Sequence, residues 1–240
     1  MVSVLLFDFG GTLDGPLHWL DRFLSEYRTS GVDISRDELD PAFDFATRAG
    51  YRARPVQRFG LEELVRFLVG NQFEFLARGG TETIRAAIAS LDSRARHRIV
   101  EQIAAGFVRT TRSGLEASRS VLGALRRSFR LGVVSNFYGN LDRILEEAGM
   151  KGTVEVIVDS SRVGIFKPDP RIFQFALREL GANPSDTAMI GDSLDKDCAP
   201  ARSLGLRTVW YHPGRSASAR SDTLADFRIA SLGEIGSLRW

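Results

Sequence analysis

The chain opens on an apolar run that ends in an acid: residues 2–14 read VSVLLFDFGGTLD, and Asp8 is the first charged side chain. A run with so little alternation suits a strand covered on both faces, the usual state of a strand in a parallel sheet. Parallel neighbours cannot be joined by a hairpin, because each needs a crossover of a dozen or more residues, usually helical. The rest of the chain supplies that rhythm. Residues 2–9, 129–134, 188–190 and 207–210 read as buried parallel strands, with 153–159 as a fifth. Between them Leu141, Ile144, Leu145 and Ala148 repeat at helical spacing. So do Ile172, Phe173, Ala176, Leu177 and Leu180, before Gly181 stops the helix. The expected class is α/β, with a doubly wound parallel sheet.

Residues 16–114 break the rhythm. They lack strand signals and read as helices over 16–30, from Ser35 onward, and over 61–77, 81–91 and 93–112. Ser35 with Glu38 three residues on forms a capping-box pattern. About a hundred residues are too many for one crossover loop. The division expected is therefore a core of residues 1–14 and 115–240 interrupted by a helical insertion domain over 15–114. Residues 214–222, GRSASARSD, read as a polar surface loop.

Composition narrows the functional classes. A chain of 240 residues with 43% hydrophobic and 26% charged side chains can bury a sizeable core. The formal net charge is +2 and the basic residues are scattered, so no nucleic-acid partner is expected. Cys198 is the only cysteine, which excludes an internal disulfide and a cysteine-based zinc site. No apolar stretch approaches the ~18 residues of a membrane span. The first strand begins at Val2 without a basic leader, so a soluble cytoplasmic protein is expected. Oligomeric state has no signature here. Only Lys151, Lys167 and Lys196 are lysines among 32 basic residues. In so arginine-rich a chain, a lysine at a motif position stands out as a compact point charge.

Ligands of doubly wound sheets sit beyond the carboxyl ends of the strands. Asp8 follows SVLLF, Ser135 and Asn136 follow LGVV, and Asp192, Ser193 and Asp197 follow TAMIG. Lys167, in GIFKPDPRIF, stands just before a proline-opened helix. Far apart in sequence, these residues are expected to converge on one place.

The segments DFGGTL, VVSN, FKPDPRIF and IGDSLDKD resemble, in order and at sensible spacing, the four motifs of the haloacid dehalogenase superfamily. The resemblance covers residues 1–14 and about 115–240, with a helical cap in the first insertion position. It implies a Rossmann-like core and a hydrolase, read as a phosphatase acting on a small phosphorylated metabolite. Asp8 would attack phosphorus and form an aspartyl-phosphate; a carboxylate with an ordinary pKa of about 3.9 needs no activating base at neutral pH. Mg²⁺ would be held by the Asp8 carboxylate, the backbone carbonyl of Gly10 and Asp192, with Asp197 as a further ligand or as an acceptor behind them. Lys167 would pair with Asp8 and the phosphate, and Ser135 with the Asn136 amide would bind phosphate oxygens. Asp195 and Lys196 are expected to face solvent, and Cys198 to be a small buried hydrophobe.

Gly10 departs from the pattern. The family's phosphatases carry there an Asp that protonates the leaving oxygen and then activates water. Asp14 and His18 are the nearest residues that could take over this work, and Trp19 and Tyr51 are the aromatics of the insertion to test for facing a cleft. Two other functions remain open: a phosphate- or partner-binding protein with impaired catalysis, and metal-independent carbon–halogen hydrolysis by the same aspartate. The acid cluster of IGDSLDKD argues for Mg²⁺ and against the latter.

Overall fold

A computed structural model describes residues 1–213 and 224–240, so residues 214–222, expected as a polar loop, lie outside the described residues. Strand β1 (Val4–Phe7) is buried along its whole length. It pairs in parallel with β2 (Arg130–Ser135) on one side and with β4 (Thr187–Gly191) on the other. Beyond β2 lies β3 (Val156–Asp159), and beyond β4 lie β5 (Arg207–Tyr211) and β6 (Phe227–Ile229). The order is β3-β2-β1-β4-β5-β6, and every pairing is parallel. β1 thus lies where the chain order turns from one direction to the other, which is where such sheets bind ligands. The short edge strand β6 went unread, because three residues are too few for a periodic signal.

Between β1 and β2 the chain forms a helical insertion: α1 (Trp19–Thr29), α2 (Arg36–Arg52), α3 (Leu61–Gly79), α4 (Glu82–Ala89) and the first part of α5 (Ser93–Leu125). Two compact units result, Met1–Pro16 with Arg112–Trp240, and Leu17–Thr111. In the helical unit the expected capping box forms. Glu38 Oε2 accepts from the Ser35 N–H at 2.9 Å, while Ser35 Oγ accepts from the Glu38 N–H at 3.3 Å. Trp19, one of the aromatics to test for facing a cleft, joins the core of this unit. It is buried, edge-on to Phe107 at 5.0 Å, and Phe107 stacks on Phe23 at 4.1 Å. An indole on the apolar stripe of an amphipathic helix lowers the free energy most by joining the core. Arg22 is buried in the same unit, its guanidinium 4.9 Å from the Phe107 ring centre and donating to Thr111 Oγ1 and the Leu17 carbonyl.

The remaining helices α6 (Leu141–Glu147), α7 (Ser160–Val163), α8 (Arg171–Leu180) and α9 (Ala199–Ser203) alternate with the strands. The stripe Ile172, Phe173, Ala176, Leu177 and Leu180 of α8 packs on Val4, Leu6, Val134, Val158 and Met189. Because side chains alternate along a strand, Leu5 and Phe7 turn to the other face, where both are fully buried. The sheet is therefore apolar on both sides, as the opening run required.

Helix α5 continues to Leu125, well past residue 112, where its sequence pattern was expected to end. Inside it, position 114 has room for glycine alone because of what lies against it. A Cβ there would meet the Asp14 carbonyl oxygen at 2.4 Å and the Gly15 nitrogen at 2.8 Å. One turn on, Ser118 Oγ donates to the Leu13 carbonyl at 2.7 Å. The helix thus braces the loop that follows β1. Gly114→Ala puts a methyl group into backbone that cannot give way, and we expect a loss of about 1–3 kcal/mol in unfolding free energy. Urea denaturation of the two proteins measures it; an unchanged midpoint would refute the close approach.

Candidate active site

Phe7 is the last residue of β1, but the next backbone N–H, that of Asp8, still donates to Ile190 at 2.9 Å. The Asp8 carboxylate is therefore delivered at the sheet edge on a fixed backbone, and it is 6% exposed. Its Oδ1 accepts from Ser135 Oγ at the end of β2 at 2.9 Å and from Lys167 Nζ at 2.6 Å. Lys167 Nζ lies equally close, 2.6 Å, to Asp197 Oδ1. Asp197 is in turn fixed by the Ser193 N–H, which donates to its Oδ2 at 3.0 Å. Asp192 follows β4, and Asp8, Asp192 and Asp197 each offer a carboxylate oxygen, all within 4.8 Å of one another. Residues expected to converge from four segments do so.

The turn after Asp8 shapes the other wall. Gly11 has φ +80°, and a Cβ on it would fall 2.4 Å from Asp192 Oδ2, so glycine serves both the turn and the acid packed against it. The Gly11 N–H donates to Asp14 Oδ1 at 2.8 Å, and this fully buried acid ties the loop together. Gly10 has φ −74° and ψ 120°, an ordinary backbone conformation that any residue adopts. His18 belongs to the helical unit, where its Nδ1 accepts from the Leu20 N–H and caps α1.

Asn136 has a role beyond the one expected. Its Oδ1 accepts from the Lys167 N–H at 2.7 Å, and its Nδ2 donates to the Lys167 carbonyl at 2.9 Å. The side-chain amide is thereby occupied in holding the lysine backbone. Asp159, at the end of β3, escaped the sequence reading altogether. Its Oδ2 accepts from the N–H groups of Gly139 and Leu141, and its Oδ1 from that of Ser161. It pins the loop that carries Ser135 and Asn136 onward. The available signal was its place in VIVDSS, an acid ending an apolar run as Asp8 does. Asp195 and Lys196 are exposed and Cys198 is buried, all three as expected.

Burial and charge act against each other here. Burial alone would discharge Lys167, but the Asp197 and Asp8 carboxylates outweigh it and hold its pKa above the usual lysine value. Burial, reinforced by the charges of Asp8 and Asp197, pushes the Asp192 carboxyl up to about 8. Asp197 is raised to about 6, by burial first and by Asp8 next, against the pull of Lys167. Once all three are ionised, the carboxylates facing one ammonium leave two negative charges in a buried place. A divalent cation would balance them, and an all-oxygen donor set suits a hard ion such as Mg²⁺. The residues present fit such an ion.

The fold and this constellation match a known family. The family model described as haloacid dehalogenase-like hydrolase matches residues 2–205, and the chain belongs to that family. It is 36% identical over 121 residues to a phosphoserine phosphatase of Thermus thermophilus, covering 50% of this chain and 48% of that protein. It is 34% identical over 210 residues to the human haloacid dehalogenase-like hydrolase domain-containing protein 3, covering 86% of this chain and 80% of the other. It is also 33% identical over 101 residues to the pyrimidine 5'-nucleotidase YjjG of Escherichia coli, or 41% and 44% of the two chains. The chain spans about half the length of the first of these relatives. In fold it is similar to the HAD-hydrolase YfnB of Bacillus subtilis, solved bound to magnesium. That TM-score is 0.58 at 17% identity, with 98% and 97% of the two chains covered. Among the described residues no helix is long and apolar enough to cross a membrane.

The raised carboxyl pKa values fix a sign for stability. Without metal the native state binds more protons than the unfolded chain between about pH 4 and pH 8, so its stability falls as pH rises through that window. A cation that binds the ionised carboxylates reverses the loss. Mg²⁺ at a hundred times its Kd adds about 2.7 kcal/mol, or roughly 5–10 °C in Tm for a chain of this size. We expect thermal melts to show a Mg²⁺ increment that grows from pH 6 to pH 8. An increment that shrinks over that range would contradict the cluster's role.

Proposed function

We propose that the protein is a Mg²⁺-dependent phosphatase that acts on a small phosphorylated metabolite through an aspartyl-phosphate on Asp8. The observation that carries this reading is the buried contact of Asp8 Oδ1 with both Ser135 and Lys167, beside two further carboxylates. Several relatives support it, since they include a phosphoserine phosphatase, a pyrimidine 5'-nucleotidase and a glyceraldehyde 3-phosphate phosphatase. Residues 1–14 and 115–240 are read as the catalytic core, and 15–114 as the cap that chooses the substrate.

Asp8, the Gly10 carbonyl and Asp192 would hold the cation, with Asp197 as a ligand or as the acceptor behind Lys167. Bound there, Mg²⁺ supplies positive charge to the phosphoryl oxygens. Ser135 Oγ, the Asn136 backbone N–H and Lys167 Nζ orient the phosphate, and Lys167 offsets the repulsion between two anions that must meet. An Asp8 oxygen then bonds to phosphorus as the bond to the leaving oxygen breaks. Water later cleaves the aspartyl-phosphate, releasing inorganic phosphate and restoring the carboxylate. The leaving oxygen needs a proton, and Gly10 offers none. Asp14 is committed to Gly11 and His18 to its helix cap, so neither is assigned the task. Substrates whose leaving group tolerates negative charge, such as aryl and acyl phosphates, are therefore favoured over alkyl phosphates.

Hydrolysis of p-nitrophenyl phosphate with Mg²⁺ tests the nucleophile. Asp8→Asn is expected to abolish turnover, and equal rates for the two proteins would favour a binding role instead. Gly10→Asp tests the missing acid. The Gly10 backbone conformation is one that any residue adopts, so the substitution is expected to raise kcat/KM on alkyl phosphates by roughly 10²-fold, with a smaller gain on aryl phosphates. An equal gain on both would count against the leaving-group account.

A further inference from the structure

The ladder between β4 and β5 ends at the pair Gly191–Trp210, so Asp192 is the first residue beyond it. There the side chain of Trp210 takes over from the backbone. Its Nε1–H donates to the Asp192 carbonyl at 2.9 Å, one residue past the last ladder pair. The indole is itself held on its faces: His212 stacks with it at 4.2 Å and 9°, and the Arg228 guanidinium lies 5.3 Å from its centre. Arg228 is its register partner on β6, so the sheet fixes this contact too. Trp210 is only 8% exposed.

This hydrogen bond acts on a residue under stress. The Asp192 carboxylate is crowded by Asp8 and Asp197, all within 4.8 Å, and its Oδ2 abuts Gly11. Once Asp192 is ionised, the like charges at that distance push it away, since the Lys167 ammonium is paired with Asp8 and Asp197. Asp192 lies beyond the last β4–β5 pair, Gly191–Trp210, so that pairing does not hold it against the push. We infer that Trp210 is a positioning residue for the cation site, holding the Asp192 backbone through its indole N–H so that the carboxylate stays within reach of the ion. Groups that orient metal ligands commonly contribute to affinity as well as geometry. The inference rests on the metal-dependent reading above and adds to it a residue outside all four motifs.

The test removes the N–H in two ways, one of which keeps a bicyclic ring of the same shape. Wild type, Trp210→Phe and the protein carrying 3-benzothienylalanine at position 210, in which sulfur replaces the N–H, are titrated with Mn²⁺ by EPR and with Mg²⁺ in competition. Trp240→Ala serves as a control for lost stability alone, since Trp240 contacts Phe129 and Phe227 at the opposite, amino ends of the strands. Both variants at position 210 are expected to weaken metal binding about three- to tenfold, the worth of one hydrogen bond, while Trp240→Ala leaves it unchanged. In turnover of p-nitrophenyl phosphate, half-saturation by Mg²⁺ should rise by the same factor, with kcat at saturating Mg²⁺ within about twofold of wild type. Wild-type affinity in the benzothienyl protein would overturn the inference and leave the metal-dependent reading intact. A wild-type protein that binds neither ion would overturn both. Weakening in Trp240→Ala equal to that at position 210 would reduce Trp210 to a general stabiliser and also overturn it.

Discussion

Lys167 is the contact on which the site depends. A buried ammonium is costly unless paired, and breaking a buried ion pair leaves an uncompensated charge worth about 3–5 kcal/mol. Here one ammonium serves two acids, Asp8 and Asp197, each at 2.6 Å. Its side chain can sit there only because its backbone is fixed independently, by the two hydrogen bonds to the Asn136 amide. A compact ammonium meets both carboxylates with one atom, which the planar fork of an arginine does not do. This explains why lysine stands at this position in a chain that otherwise nearly always uses arginine.

Around that contact the sheet acts as a set of rigid arms. β1, β2 and β4 are adjacent, and each ends in a polar residue of the site or directly before one. Their apolar faces hold their register, so the polar tips have no freedom to separate. Loops do the finer work. Asp14 closes the turn of Gly11, Asp159 closes the loop after Asn136, and Ser118 of α5 holds the carbonyl of Leu13. Two buried acids, Asp14 and Asp159, are thus spent on backbone N–H groups, which would otherwise be unsatisfied in a dry interior.

Much of this was legible in the sequence, and the reasons are physical. Apolar runs ending in acids marked the strands and the residues they present, and the rarity of lysine singled out Lys167. The capping box at Ser35 was readable because its two hydrogen bonds are local. What escaped depends on contacts distant in sequence. The need for glycine at position 114 hinges on the backbone of Asp14, the role of Asp159 on Gly139 and Leu141, and the second duty of Asn136 on Lys167. Trp19 joins the same class: it was one of the aromatics to test for facing a cleft, and its contact with Phe107 seats it in the core.

The pairing of Asp8 with Lys167 joins residues 159 apart in the chain, and Asp197 lies a further 30 beyond. No short segment contains enough of the site to assemble it alone, and the insertion must be spanned before its first and last members meet. Closing so long a loop costs entropy that only the completed sheet repays. Partly folded or truncated molecules would carry these acids dispersed in water, as inert as any surface aspartate. The acid cluster is therefore assembled only in molecules that have finished folding.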